Sequence, residues 1–478
     1  MLQERIASFA LLLCACGGPP PPEAPGPAPV AVASTSGASP QPAADRIVRR
    51  TIVLHTRRSG TMVTLIHGNG SRESTMEIDE NGRGPKVESK YKVAPDHTLI
   101  AFDANGHEEA GQPVDEHFVL EAGQATWKST DEQGTKAVTA PAFYVPHATD
   151  TEALGLLAQA LIAAGGTLPL LPDGSARAER VGEATVRGPN GATQHLAAWS
   201  ITGRGFVPET VWLDDAGELW GVVGDWGGTV PEAWEDSIGP LNAQVRTIRR
   251  RLATALAQRL GARPPEAGLA ITHARVLDVI AKRWLPDRTV VVKGGKIVSV
   301  APSSKGDVPA GAETIDAGGK ALIPGLWDLH GHVDETQGPI YLAAGVTTIR
   351  DDADDPDYMD GFANAYDAGR ALGPHVLEGV FVEGRGSEAA GSQITVETPE
   401  EARAAIEKYA KQGYVQIKIS VAVKPALVPI LTKVAHDKGM RVSGLVPVHM
   451  LAEDAVRAGY DEITHVNWLF LNFLADHD

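Results

Sequence analysis

The sequence predicts a mixed α/β chain, with a β-rich front half and a back half in which helices and strands alternate. Three observations carry this. Short alternating apolar runs fill the region from Ile47 to about Trp226, including Thr51-Ile52-Val53-Leu54 and Thr210-Val211-Trp212-Leu213. Behind them, an amphipathic helix ending at a glycine and followed at once by a β-like run recurs at Gly345, Gly413, Gly439 and Gly459. Between the two lies a run from Pro240 to Leu260 with Leu241, Val245, Ile248 and Leu252 at helical intervals, stopped by Gly261, Pro264 and Pro265.

A chain of 478 residues exceeds one ordinary core, and 43% hydrophobic against 22% charged residues gives enough apolar material for more than one. The net charge of -17 excludes a nonspecific nucleic-acid binder, because a phosphate backbone would be repelled. Both cysteines, Cys14 and Cys16, stand near the start, so the remainder has no disulfide or thiolate metal site. The apolar run Ile6 to Leu13 behind Arg5 leads into Leu13-Cys14-Ala15-Cys16, which resembles a lipoprotein signal over residues 1–16 with Cys16 as the lipid-bearing residue. The stretch 17–45, rich in Pro, Ala, Gly and Ser, reads as an extended tether. Together they lead to an expectation of a cell-envelope or periplasmic protein that meets a membrane only through a lipid anchor, or of a secreted one.

Within the front domain, 46–262, a helix is expected at Thr151 to Ala164. Trp199, Trp212, Trp220, Trp226 and Trp234 could line a binding face, but packing is the ordinary role of such residues. A small β segment follows at 265–323, where Val290 to Lys293 and Lys296 to Val300 flank Gly294-Gly295 as a hairpin. The back half, 324–478, holds six expected strands: 326–332, 346–349, 375–382, 414–420, 440–446 and 460–466. The helix 399–412 explains the pattern locally: Thr398 and Glu401 form a capping box, Pro399 suits the first turn and Gly413 the stop. Such repetition argues for a parallel sheet, in a barrel or a doubly wound fold.

The sharpest chemical motif is Pro324-Gly325-Leu326-Trp327-Asp328-Leu329-His330-Gly331-His332. Residues two apart on a strand share a face, so His330 and His332 can meet one cation through neutral imidazoles. Lys418, in Tyr414-Val415-Gln416-Ile417-Lys418-Ile419-Ser420, is flanked by isoleucines, an odd setting for a surface lysine; a buried ion pair is the competing explanation. Asp328 and Asp351, ending strands beside the histidines, could orient a ligand or cap backbone.

These motifs, with Ala344-Gly345-Val346-Thr347-Thr348-Ile349-Arg350-Asp351 and Gln416-Ile417-Lys418-Ile419, resemble the amidohydrolase superfamily over about 265–478, in its imidazolonepropionase-like and Xaa-Pro-dipeptidase-like branch. The resemblance implies an incomplete TIM-like (β/α)8 barrel of about six strands with a small flanking β-sandwich segment. It also implies one or two divalent cations, zinc by preference, held by His330, His332, a carbamylated Lys418 and His465. The implied reaction is hydrolysis of an amide or peptide-like carbon–nitrogen bond in a small-molecule or dipeptide-like substrate.

Two departures stand against it. Where the fifth strand should supply a histidine after Arg441-Val442-Ser443-Gly444, the chain has Leu445; His449 lies further on, and His436 precedes that strand in a helix. The catalytic eighth-strand aspartate of the family has no counterpart before Asp478. A noncatalytic envelope lipoprotein with a degenerate barrel, or a partial record of a longer enzyme, are therefore the rival expectations.

Overall fold

The computed structural model describes residues 44–471, apart from 56, 80–83, 110, 148–149, 263–264, 353–354 and 387–393. Cys16, the signal-like segment and nearly all of the tether lie outside the described residues.

Eight strands from Arg46–Leu54 to Gln133–Ala137 form one antiparallel meander, and six from Thr167–Leu171 to Gly227–Pro231 form a second, to whose first strand Phe143–Tyr144 adds in parallel. Arg46–Leu54 pairs antiparallel with Gly227–Pro231, which fuses the two meanders into a 15-stranded sheet. Clean alternation explains how these strands bury one face: Lys86–Val93 reads Val87, Ser89 and Tyr91 inward, and Gln124–Lys128 reads Ala125 and Trp127 inward.

The expected helix, Thr151–Ala163, packs into that inner face, with Leu154, Leu156, Leu157 and Leu161 joining Phe102, Phe118 and Tyr144 in one core. Asp150 caps its start through the amides of Glu152 and Ala153. Glu152 is fully buried in the first turn, between the guanidinium groups of Arg50 and Arg72. The second helix, Ile238–Leu260, buries Leu241, Val245 and Ile248 against Trp212 and Trp220. It ends at Gly261 in extended rather than left-handed geometry (φ -65°, ψ 114°), with the Gly261 amide still bonded to Ala257 O, and a Cβ there would come within 2.4 Å of that oxygen.

A five-stranded sheet follows, in which Arg283–Lys293 and Lys296–Pro302 pair around Gly294-Gly295 as the sequence suggested. The last sheet has six strands in sequential order: Leu326–Gly331, Val346–Asp351, His375–Val382, Gln416–Ile419, Arg441–Gly444 and Glu462–Ile463. Every neighbouring pair is parallel, with helices in the connections. Gly413 takes φ 100° after a complete Thr398/Glu401 capping box, and Gly345, Gly439 and Gly459 also have positive φ at the other joints. The sheet curls as half of a barrel: Arg350 on the second strand reaches Glu462 on the sixth with two hydrogen bonds of 3.0 and 2.8 Å.

All three sheets belong to one compact unit spanning residues 43–478. The linker helix ties the front sheet to the half-barrel: Arg249 contacts both Asp225, in the turn after Leu219–Gly224, and Asp334, just beyond the first barrel strand, the latter at 3.3 Å.

Candidate active site

Leu326–Gly331 is the first strand of the half-barrel, and its exit carries His330 and His332. Their rings meet edge-on with centroids 5.6 Å apart, so the i, i+2 spacing does put them on one side. His465, directly after the sixth strand, brings its ring to 4.9 Å from that of His330. Its backbone sits at φ 59°, a left-handed conformation unusual for a residue with a Cβ. Lys418 comes from the fourth strand, all four residues of which are buried. Its Nζ donates to His330 Nε2 at 3.0 Å and lies 5.6 Å from the Phe381 ring centre.

First, fourth and sixth strands thus converge on one point. The remaining ring neighbour of His332 comes from elsewhere: Trp226 of the N-terminal sheet packs edge-on against it at 5.6 Å.

Burial and nearby positive charge bias His330 and His465 towards the neutral imidazole. Burial, then the positive charge of Lys418, push His330 down to about 4, and burial with Lys418 also lowers His465. Burial lowers Lys418 too, while Asp352 and Asp351 pull the other way. Neutral imidazole is the ligand form of histidine.

Asp328 accepts the His330 amide at 3.1 Å. Asp351 accepts the Val333 amide at 2.8 Å, and its second oxygen stands 3.8 Å from His332 Nδ1, a buried nitrogen with no hydrogen-bond partner among the described residues. Beneath the histidines runs a polar belt whose roles the sequence did not reveal. Arg350 Nε contacts Asp352 at 3.2 Å, and Gln416 donates to Asp352 at 3.3 Å and to Ser443 at 2.6 Å. Burial pushes Asp352 up to about 6. Gly379 makes room for it, since a Cβ there would meet Asp352 Oδ1 at 2.2 Å. The legible signal was polar residues on strands buried on both faces.

Leu445 is where the fifth-strand ligand was expected, and its side chain has no donor atom. His449 is exposed on the following loop, and His436 makes a 3.0 Å contact to Asp461. Among the described residues, no three His, Cys, Asp or Glu side chains are grouped closely enough to hold a metal by themselves. The donor chemistry of three imidazoles and one convertible lysine suits a divalent cation. As placed, though, Lys418 occupies the Nε2 lone pair that a cation would use.

No family model matches. Adenine deaminase 2 of Bradyrhizobium sp. (strain ORS 278) is 34% identical over 120 residues, 24% of this chain and 18% of that protein. Adenine deaminase of Chelativorans sp. (strain BNC1) is 37% identical over 110 residues, 22% of this chain and 17% of the relative.

The chain resembles adenine deaminases. It spans less than a fifth of the length of these two relatives. Among solved structures, a putative prolidase from Bifidobacterium longum is 29% identical at TM-score 0.36, covering 42% of this chain and 54% of that one. Bottromycin amidohydrolase is 22% identical at TM-score 0.37, covering 44% and 47%.

Proposed function

We propose that the chain is a metal-dependent hydrolase of carbon–nitrogen bonds in the amidohydrolase superfamily, its six parallel strands being part of a TIM-like (β/α)8 barrel. The observation that carries this reading is the convergence of His330, Lys418 and His465 from three separate strands. The similarity to adenine deaminases supports it. His330, His332, His465 and Lys418 would hold one or two divalent cations, zinc by preference. When bound, the metal supplies Lewis acidity and positive charge beside the carbon under attack.

The protein groups prepare that chemistry. His330 and His465, held in neutral form, keep lone pairs free of protons at neutral pH. Lys418, whose ammonium form burial disfavours, is suited to take up carbon dioxide: its nitrogen bonds the carbon, an amine proton leaves, and an anionic carbamate with two oxygen donors results. That change would also release His330 Nε2. Asp328 and Asp351 fix the backbone that presents the two histidines. The substrate is a small molecule or dipeptide-like compound, and a lipid at Cys16 would tether the protein in the cell envelope.

A second reading has its own support: Leu445 and the Lys418 contact favour a degenerate barrel that does no chemistry. Metal content and turnover of a panel of dipeptides, cyclic amides and aminopurines separate the two. Stoichiometric zinc, with turnover that falls at least about a thousandfold in His330→Ala, supports the hydrolase. Metal-free protein that stays inactive after zinc and bicarbonate are supplied sinks it.

A further inference from the structure

The N-terminal sheet has no chemistry assigned to it, yet one of its turns reaches the histidine cluster. Strands Leu219–Gly224 and Gly227–Pro231 close a two-residue turn, with Gly224 opposite Gly227 and Asp225-Trp226 at the tip. Each tip residue is fixed by a different neighbour.

Asp225 accepts from Arg246 Nε at 2.7 Å and from Arg249, both on the linker helix, and these charges hold its carboxyl below the usual range despite burial. Trp226 donates no side-chain bond to this anchor and instead stands between two imidazoles. Its indole meets His332 at 5.6 Å and 78°, and His55 at 5.3 Å and 80°. The His55 amide donates to Trp226 O at 2.9 Å, so the backbone holds the pair in register. Gly227 permits the close approach: its φ is 141°, and a Cβ would come within 1.9 Å of Val53 O. A second bridge, from Arg57 Nη2 to Gly386 O at 2.9 Å, joins the start of strand Arg57–Ile66 to the loop after the third barrel strand.

Despite these contacts the indole remains 45% exposed, whereas Trp212 and Trp220 are 0% and 6% exposed in the core beside it. A large aromatic side chain fixed at its backbone and left open beside a candidate catalytic group has a flat apolar face to offer a ligand.

We infer that Trp226 is a substrate-binding residue of the histidine–lysine site, stacking a planar, π-bearing part of the substrate beside His332 and so setting specificity from the N-terminal sheet. This rests on reading that site as catalytic. Substrates with a planar ring gain from the stack, while aliphatic dipeptides reach the same site without it.

The test uses the full chain with zinc and bicarbonate supplied, in wild-type, Trp226→Phe and Trp226→Ala forms. Adenine is the planar probe and alanyl-alanine the aliphatic one. Binding is read by calorimetry and turnover by product formation. Trp226→Ala is expected to weaken adenine binding about tenfold or more, and Trp226→Phe only a few-fold, with alanyl-alanine changed less than about twofold. In turnover the loss should appear in KM rather than kcat. Equal adenine affinity in wild type and Trp226→Ala overturns the inference, as does wild-type protein that fails to bind adenine, or equal loss for both probes. Trp226-dependent adenine binding, in protein that takes up no zinc and turns over none of the dipeptides, cyclic amides and aminopurines, sustains the stacking role and defeats the hydrolase reading. Turnover indifferent to Trp226 does the reverse.

Discussion

In the N-terminal sheet a strand such as Lys86–Val93 buries every second residue, whereas Gln416–Ile419 of the half-barrel is buried at all four positions. An antiparallel sheet with one wet face can carry polar side chains on that face at little cost. A parallel strand covered on both sides cannot. Gln416 and Lys418 must therefore be satisfied inside, by Asp352, Ser443 and His330, and a polar residue in such a strand marks a polar interior. The front sheet also has a buried charge cluster, but it hangs on a helix. Glu152 sits between Arg50 and Arg72, and Gln159 on the same helix accepts from Arg72 at 3.0 Å. One cluster serves to dock a helix, the other gathers the side chains of the proposed site.

That contrast can be broken by mutation. Glu152→Gln should have the largest effect on stability, about 3–5 kcal/mol, because Arg50 is left buried without the carboxylate it pairs with and Arg72 keeps only its 3.1 Å pair with Glu218. Denaturant unfolding measures it, and a loss below about 1 kcal/mol would mean that the cluster does not dock the helix. The sign with pH follows from the shift. The two arginines hold Glu152 below its ordinary value against the opposing effect of burial. Its stabilising contribution is thus present above the unfolded-state pKa of about 4.3 and is lost as pH falls through the lower folded value. Wild type should lose stability in that acid window, and the variant should be flatter there.

Lys418→Met tests the other cluster and should act in the opposite direction. Removing a desolvated amine for an apolar chain of similar length is expected to raise stability by about 1 kcal/mol while abolishing turnover. A thermal midpoint that falls sharply would instead assign Lys418 to the structural class. The smallest effect belongs to a boundary shared by neither cluster: Thr398→Ala, which removes half of the capping box, should cost about 1 kcal/mol or less and leave metal content unchanged.

Much of the half-barrel was legible because local rules and global fold agree there. The six strands, the glycine joints and the Thr398/Glu401 cap all follow from turn and capping chemistry within a few residues. His330 and Lys418 stood out in the sequence because each is anomalous in its own strand, and His332 through its spacing from His330. The polar belt was not: Arg350, Asp352 and Glu462 acquire meaning only when the sheet curls and sets the second strand against the sixth. Trp226 was hidden more deeply. In sequence it is one tryptophan of several in a β-rich stretch, and nothing near it refers to His332. The buried helix concealed Glu152 in another way, since an acidic residue in a first turn is what helix capping alone would suggest.

His465 holds a left-handed backbone at φ 59° at the point where the sixth strand gives way to the next segment. An L-residue in that conformation carries a strain of about 1–3 kcal/mol that glycine would not feel. A glycine there would relieve the backbone, and under the proposed function it would also remove a ligand, so His465→Gly sets stability against metal binding at one position.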